Sequence, residues 1–218
     1  MKHNEKELLA LKEEVSQMWK LVLSQLEKTK QAFLNNDIEI AREVASREKR
    51  VDAFELKIDC DCENYIALYS PVAIDLRLVL SMLKISNTLE RIADFCEGIV
   101  RHVIEGDGIG WETELVENLQ IEKMFDIVIS MLSDSFVALE SENTKMSGKI
   151  LSKDDEIDSL YHNSIDIISN YISKKPEYIR YGLKTILFVR KLERIGDHCS
   201  NIVEEIVFYV DAKVLKHS

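Results

Sequence analysis

A chain of 218 residues, 46% of them hydrophobic, holds enough apolar material for a real core in one domain or two small ones. Seven glycines and two prolines leave few punctuation points, so the chain reads as a small number of long elements, and long elements are helices. The net charge of −11, from 28 basic and 39 acidic residues, repels a phosphate backbone and excludes nucleic acid as a partner, while favouring cations and basic protein surfaces.

In chain order, the first helix is expected over residues 6–34, with Trp19 placed for burial, and Asn35-Asn36-Asp37 ends it. The second, 37–69, carries Glu48 and Asp52 four apart, and later Cys60-Asp61-Cys62. On a helix those two thiols point about 200° apart, which is wrong for a shared ion. Pro71 turns the chain into a third helix, 72–104. The stretch from Gly106 to Gly110 then divides the chain into halves, 1–106 and 107–218, with Trp111 at the contact between them. The second half repeats the plan with helices at 113–142, 149–173 and 177–210, broken at Ser147-Gly148 and Lys174-Lys175-Pro176. The expected fold is therefore all-α, two pseudo-symmetric three-helix bundles of antiparallel neighbours.

No apolar run approaches the roughly 20 residues that span a bilayer. The segment Met1–Glu7 also has no apolar core like that of an export signal. A cytoplasmic protein is expected, reaching the inner face of the membrane only through partners and inserting nothing into it. Four cysteines in such a compartment make no disulfide framework.

Two segments show that the chain is written twice. Residues 89–97 read Leu-Glu-Arg-Ile-Ala-Asp-Phe-Cys-Glu and residues 192–200 read Leu-Glu-Arg-Ile-Gly-Asp-His-Cys-Ser, six identities in nine positions at an offset of 103. The same offset maps Arg77 onto Arg180. Apolar residues alternate at three- and four-residue spacing through Met82, Ile85, Leu89, Ile92, Cys96, Ile99 and Val103, and again through Phe188, Leu192, Ile195, Cys199, Ile202 and Ile206. That spacing is the seam of a packed helix, and Cys96 and Cys199 read as core.

Each half also carries a carboxylate pair. Glu90 and Asp94 share a helix face, as do Glu193 and Asp197. Antiparallel helices joined at a turn bring together residues whose numbers have a constant sum. Glu48 with Asp94 and Asp52 with Glu90 both sum to 142, centred on Pro71, while Asp154 with Asp197 and Asp158 with Glu193 both sum to 351, centred beside Pro176. Four carboxylates at one level repel, and either take up protons at raised pKa or hold cations. Oxygen-only ligands favour hard ions such as iron(III), manganese, magnesium or calcium. Because these acids lie off the apolar seam, an open surface site is expected.

Ser70-Pro71-Val72-Ala73-Ile74-Asp75-Leu76-Arg77, followed by the doubled Leu-Glu-Arg-Ile-x-Asp motif, resembles the PhoU family over nearly the whole chain. The resemblance implies paired three-helix bundles, commonly dimeric, with multinuclear metal clusters on Glu/Asp-x-x-x-Asp motifs. Carried over, the ligands are Glu48, Asp52, Glu90, Asp94, Asp154, Asp158, Glu193 and Asp197, and the metal is most simply iron(III). It further implies a negative regulator of phosphate uptake and of the phosphate-starvation response. Such a protein stands between the ATPase subunit of a phosphate ABC transporter and a sensor histidine kinase. Departures from the family pattern are Ala93 for glycine, Glu48 for aspartate and Tyr69 for glutamine.

Arg77 and Arg180 read as structural braces, Arg91 and Arg194 as counter-charges reaching a neighbouring helix. His198 reads as structural, because its counterpart is Phe95. No phosphate-cradling glycine loop and no nucleophile elbow occurs, so an enzyme is not expected. Two rival readings are a regulator of a sodium–phosphate cotransporter and a metal store or carboxylate-metal enzyme. The enzyme form uses Glu-x-x-His, and Ile99, Ser159, Ile195 and Val214 stand three residues before the histidines that have such a position.

Overall fold

The computed structural model describes residues 3–105 and 113–215. The described residues form helices and turns without a strand: α1 (His3–Asn35), α2 (Ile38–Ser46), α3 (Glu48–Tyr69), α4 (Ala73–Ile104), α5 (Thr113–Asn118), α6 (Ile121–Glu140), α7 (Ser147–Lys174) and α8 (Ile179–Asp211), with a 3₁₀ turn at Pro176–Tyr178. The stretch from Gly106 to Gly110 and Trp111 lie outside the described residues.

Two expected helices are each divided in the structure. The helix expected over 37–69 breaks at Arg47, whose amide bonds to the Val44 carbonyl three residues back rather than four. Side chains compete with the backbone there: Ser46 Oγ donates to the Glu43 carbonyl at 2.7 Å, and the Arg47 guanidinium is drawn onto Glu43 at 2.5 Å. Asp37 caps the new first piece by accepting from the amides of Glu39 and Ile40, both at 3.0 Å. The helix expected over 113–142 breaks at Gln120, which takes a left-handed conformation with φ 52°. That single turn lets Leu119 and Ile121 bury at 2% and 0% exposure. Burial of two large apolar side chains outweighs the cost of one unfavourable backbone conformer.

The two repeat helices, α4 and α8, make the spine. The apolar seam read from the sequence of each is buried along its whole length, from Met82 to Val103 and from Phe188 to Ile206. Three hydrogen bonds show that they run antiparallel against each other. Arg77 Nε donates to the Tyr209 carbonyl at 3.1 Å, Ser81 Oγ to the Glu205 carbonyl at 3.1 Å, and Lys191 Nζ to the Gly98 carbonyl at 2.7 Å. Phe95 and His198, equivalent positions in the two repeats, meet at 5.6 Å between ring centroids. The repeat motifs therefore lie beside the pseudo-two-fold centre of the molecule.

The first-half helices α1, α2 and α3 pack on α4, and α6 and α7 pack on α8. The halves also meet through α1 and α6. Trp19, fully buried, donates its indole N–H to the Leu132 carbonyl at 3.1 Å, and Phe33 stacks on Phe188 at 4.3 Å with Phe125 alongside. One apolar cluster runs through both halves, from Leu11 to Tyr209. Among the described residues no helix is long and apolar enough to cross a membrane.

Candidate metal centre

The α7/α8 hairpin sets Asp158 opposite the turn of α8 that carries Glu193 and Asp197. Oxygens of these three carboxylates lie within 4.8 Å of one another, the one such trio of potential ligands among the described residues. Arg194, in the middle of the motif, bends back along its own helix. Its guanidinium stands 2.9 Å from Asp197 Oδ2 and 3.8 Å from Glu193 Oε2. It neutralises part of the charge from within the motif, where a reach to a neighbouring helix was expected. Glu193 is only 16% exposed at its side chain, and its buried Oε2 makes no hydrogen bond. Burial pushes its carboxyl above the ordinary range, and the charges of Asp197 and Asp158 push it further, against Arg194 and Arg190.

Asp154 takes a different course. It accepts from Ser200 Oγ at 2.7 Å, one turn beyond Asp197, and its Oδ1 lies 3.0 Å from where a Cβ on Gly196 would stand. The structure thus brings together three of the four acids expected at this level and turns the fourth onto the Ser200 hydroxyl, over Gly196 of α8. Gly196 makes the room for that approach; the equivalent position in α4 is Ala93.

The first half repeats the motif geometry more loosely. Arg91 lies 3.6 Å from Glu90 and 3.8 Å from Asp94, again along its own helix. The Glu90 carboxyl is pushed up to about 7, by burial first, then by the charges of Asp94 and Glu55, with Arg91 opposing. From α3, then, the charge acting on Glu90 is that of Glu55, which also accepts from Asn87 Nδ2 at 2.8 Å. Asp52 is half-buried on α3, and Glu48 lies at the level of Arg101, which it helps keep protonated beside the Arg101–Glu97 ion pair. Glu55 was missed in the sequence, although a signal existed. It stands 103 residues before Asp158, the offset that relates the two motifs.

His198 lies between the two motifs. Burial lowers its pKa, Asp197 opposes, and the charges of Arg194 and Arg91 lower it further; the ring packs on Phe95. Cys96 and Cys199 are fully buried in the seams; the Cys96 thiol is pushed up to about 12 and that of Cys199 is also raised, which leaves neither reactive. Cys62 is buried with its Sγ toward the Val79 carbonyl, while Cys60 is exposed. Arg77 braces α4 against the end of α8 through Tyr209, and Arg180 is exposed near the start of α8.

Both sets of half-buried carboxylates, three acids against Arg91 in the first half and three against Arg194 and Arg190 in the second, carry excess negative charge and only oxygen donors. Such a set can hold a hard cation or a shared proton.

The PhoU domain profile matches residues 15–103 and again 121–206. Among curated relatives, the chain is 32% identical over 212 residues to the phosphate-specific transport system accessory protein PhoU homolog of Aquifex aeolicus, covering 97% of this chain and 95% of that one. It is 31% identical over 211 residues to the phosphate-specific transport system accessory protein PhoU of Escherichia coli, covering 97% and 86%. The fold superposes on the crystal structure of PhoU from Pseudomonas aeruginosa with a TM-score of 0.90 at 26% identity, covering 96% and 99% of the two chains.

Proposed function

The chain belongs to the PhoU domain family, and from that premise we propose that it is an accessory regulator of a phosphate-specific transport system whose carboxylate centres bind metal. Its work is binding rather than catalysis. It restrains phosphate uptake and the phosphate-starvation response. It does so as an adaptor between the ATPase subunit of a phosphate ABC transporter and a sensor histidine kinase, acting as a homodimer.

The observation that carries the metal part is the Asp158–Glu193–Asp197 trio, three carboxylates within 4.8 Å with a buried Glu193 oxygen that makes no hydrogen bond. The donor set fits iron(III), with manganese, magnesium and calcium as further hard ions. Asp158, Glu193 and Asp197 would hold the ion in the second half, and Glu55, Glu90 and Asp94 in the first. A bound cation would cancel the repulsion and tie α7 to α8 and α3 to α4. The link to a transporter is supported by the likeness to accessory proteins of phosphate-specific transport systems, and an acidic helical chain of net charge −11 suits basic protein partners.

Mild crosslinking and pull-down of tagged protein from phosphate-replete cells, read by mass spectrometry, tests the adaptor reading. Recovery of the transporter's ATPase subunit and a sensor kinase is the expected result. Recovery of neither, with self-association alone, contradicts it.

A further inference from the structure

The turn from α3 into α4 is strained and apolar on its outside. Ser70 and Ala73 both take left-handed backbone conformations, φ 45° and 51°, which glycine adopts freely and alanine does not. Between them Val72 is extended and stands 74% exposed. Leu68, Ile74 and Leu9 beside it are 74%, 47% and 62% exposed. Ser70 caps α3 in that conformation, its amide bonding to the Ile66 carbonyl at 3.1 Å, but the fold leaves the apolar side chains that this turn holds out uncovered, and such a patch marks a binding surface.

Leu68 lines one of two grooves on either side of the first turns of α1, Leu9 and Ile74 line the other, and Val72 stands in the turn that joins α3 to α4. One, of about 440 Å³, lies between α1 and the end of α3, and the other, of about 200 Å³, lies between α1 and the start of α4. Carboxylates line both: Glu7 and Asp61 the first, where Lys57 stands 3.6 Å from Asp61 Oδ2, and Glu5 and Asp75 the second. Lys12, which also lines the second, is held by Glu142 at 2.6 Å. The corresponding end of the other half is more basic, with Lys174, Lys175 and Arg180 around Glu177.

We propose that this end of the molecule, the ridge of Leu9, Leu68, Val72 and Ile74 with its acidic grooves, docks a basic amphipathic helix of a partner protein. The inference rests on the reading that the chain works by binding a protein of the transport apparatus. A helix laid along α1 places its apolar face on the ridge and lysines or arginines over Glu7, Asp61 and Asp75. An anionic membrane surface is repelled by the same acids.

The test measures binding of the purified full chain to the purified phosphate transporter, with its ATPase subunits, in nanodiscs of neutral lipid. Val72→Asp, Leu68→Asp and an Asp61→Asn/Asp75→Asn double variant are compared with wild type. Leu183→Asp, at a 57% exposed site in the second half, is the control. Each of the first three is expected to weaken binding at least tenfold, with a shallower salt dependence for the double variant and no change for the control. Thermal melts check that the exposed substitutions leave the fold intact. Wild-type binding that all four proteins share within twofold overturns the docking surface and leaves the reading standing. Wild type that does not bind the transporter overturns both. A ridge variant that loses only self-association assigns the end to a second copy and overturns the inference.

Discussion

Glu90 shows how much a single side chain can report. Its carboxyl sits at about 7 in the folded chain, above the ordinary 4.5. Between those values the folded chain binds a proton that the unfolded chain has released. Stability from this group therefore falls as pH rises through that window, and the full cost is present above it. Without added cation, Glu90→Gln is expected to stabilise the protein by about 1–2 kcal/mol at pH 8 and by almost nothing at pH 4. Urea titrations at the two pH values measure this, and a variant no more stable than wild type at pH 8 would contradict it. With a cation bound the order should invert, because wild type gains a ligand that glutamine cannot supply. The sequence made Glu90, Asp94, Asp158, Glu193 and Asp197 legible through the doubled motif and its spacing. Glu55 was not read, because the register was centred on Pro71 and Pro176 as if the two turns were alike. They are not: one is extended at Val72 and the other closes in a 3₁₀ turn.

At the scale of elements, apolar periodicity located every long helix, since a seam at three- and four-residue spacing is dictated by packing alone. It could not show the breaks at Arg47 and Gln120, where a local side-chain bond and a left-handed residue decide the path. The close fit of α7 to α8 carries its own test. A Cβ on Gly182 would stand 2.5 Å from Ile172 Cδ1 and 3.1 Å from Ile168 Cγ2. Alanine is the better helix former, yet here it must push two isoleucines aside, and overpacking outweighs propensity. Gly182→Ala is expected to lower stability by about 1–3 kcal/mol. An unchanged or raised melting temperature would show that α7 is free to move away. At Gly148, which has open space around it, the same substitution should not destabilise.

For the whole molecule, the two halves announced by the repeat share a continuous core through α4 with α8 and α1 with α6. Trp19 is the pin of the second contact, fully buried and bonded to Leu132 across it. Trp19→Ala should cost about 3–5 kcal/mol and lower one common transition, followed by circular dichroism and calorimetry. Two separate transitions, with only one moved, would mean that the halves fold independently. The repeat was visible in the sequence, but the way its copies meet was not, because no motif records that Phe95 and His198 face each other. The claim on which the rest turns is that this scaffold holds cations at its carboxylate centres. Equilibrium dialysis of the purified protein against iron(III), manganese or magnesium, with metal quantified by mass spectrometry, tests it most directly. Wild type should retain at least one ion per chain at neutral pH, and an Asp158→Asn/Glu193→Gln/Asp197→Asn variant should lose the second-half share. Equal, background-level metal in both proteins would contradict the account.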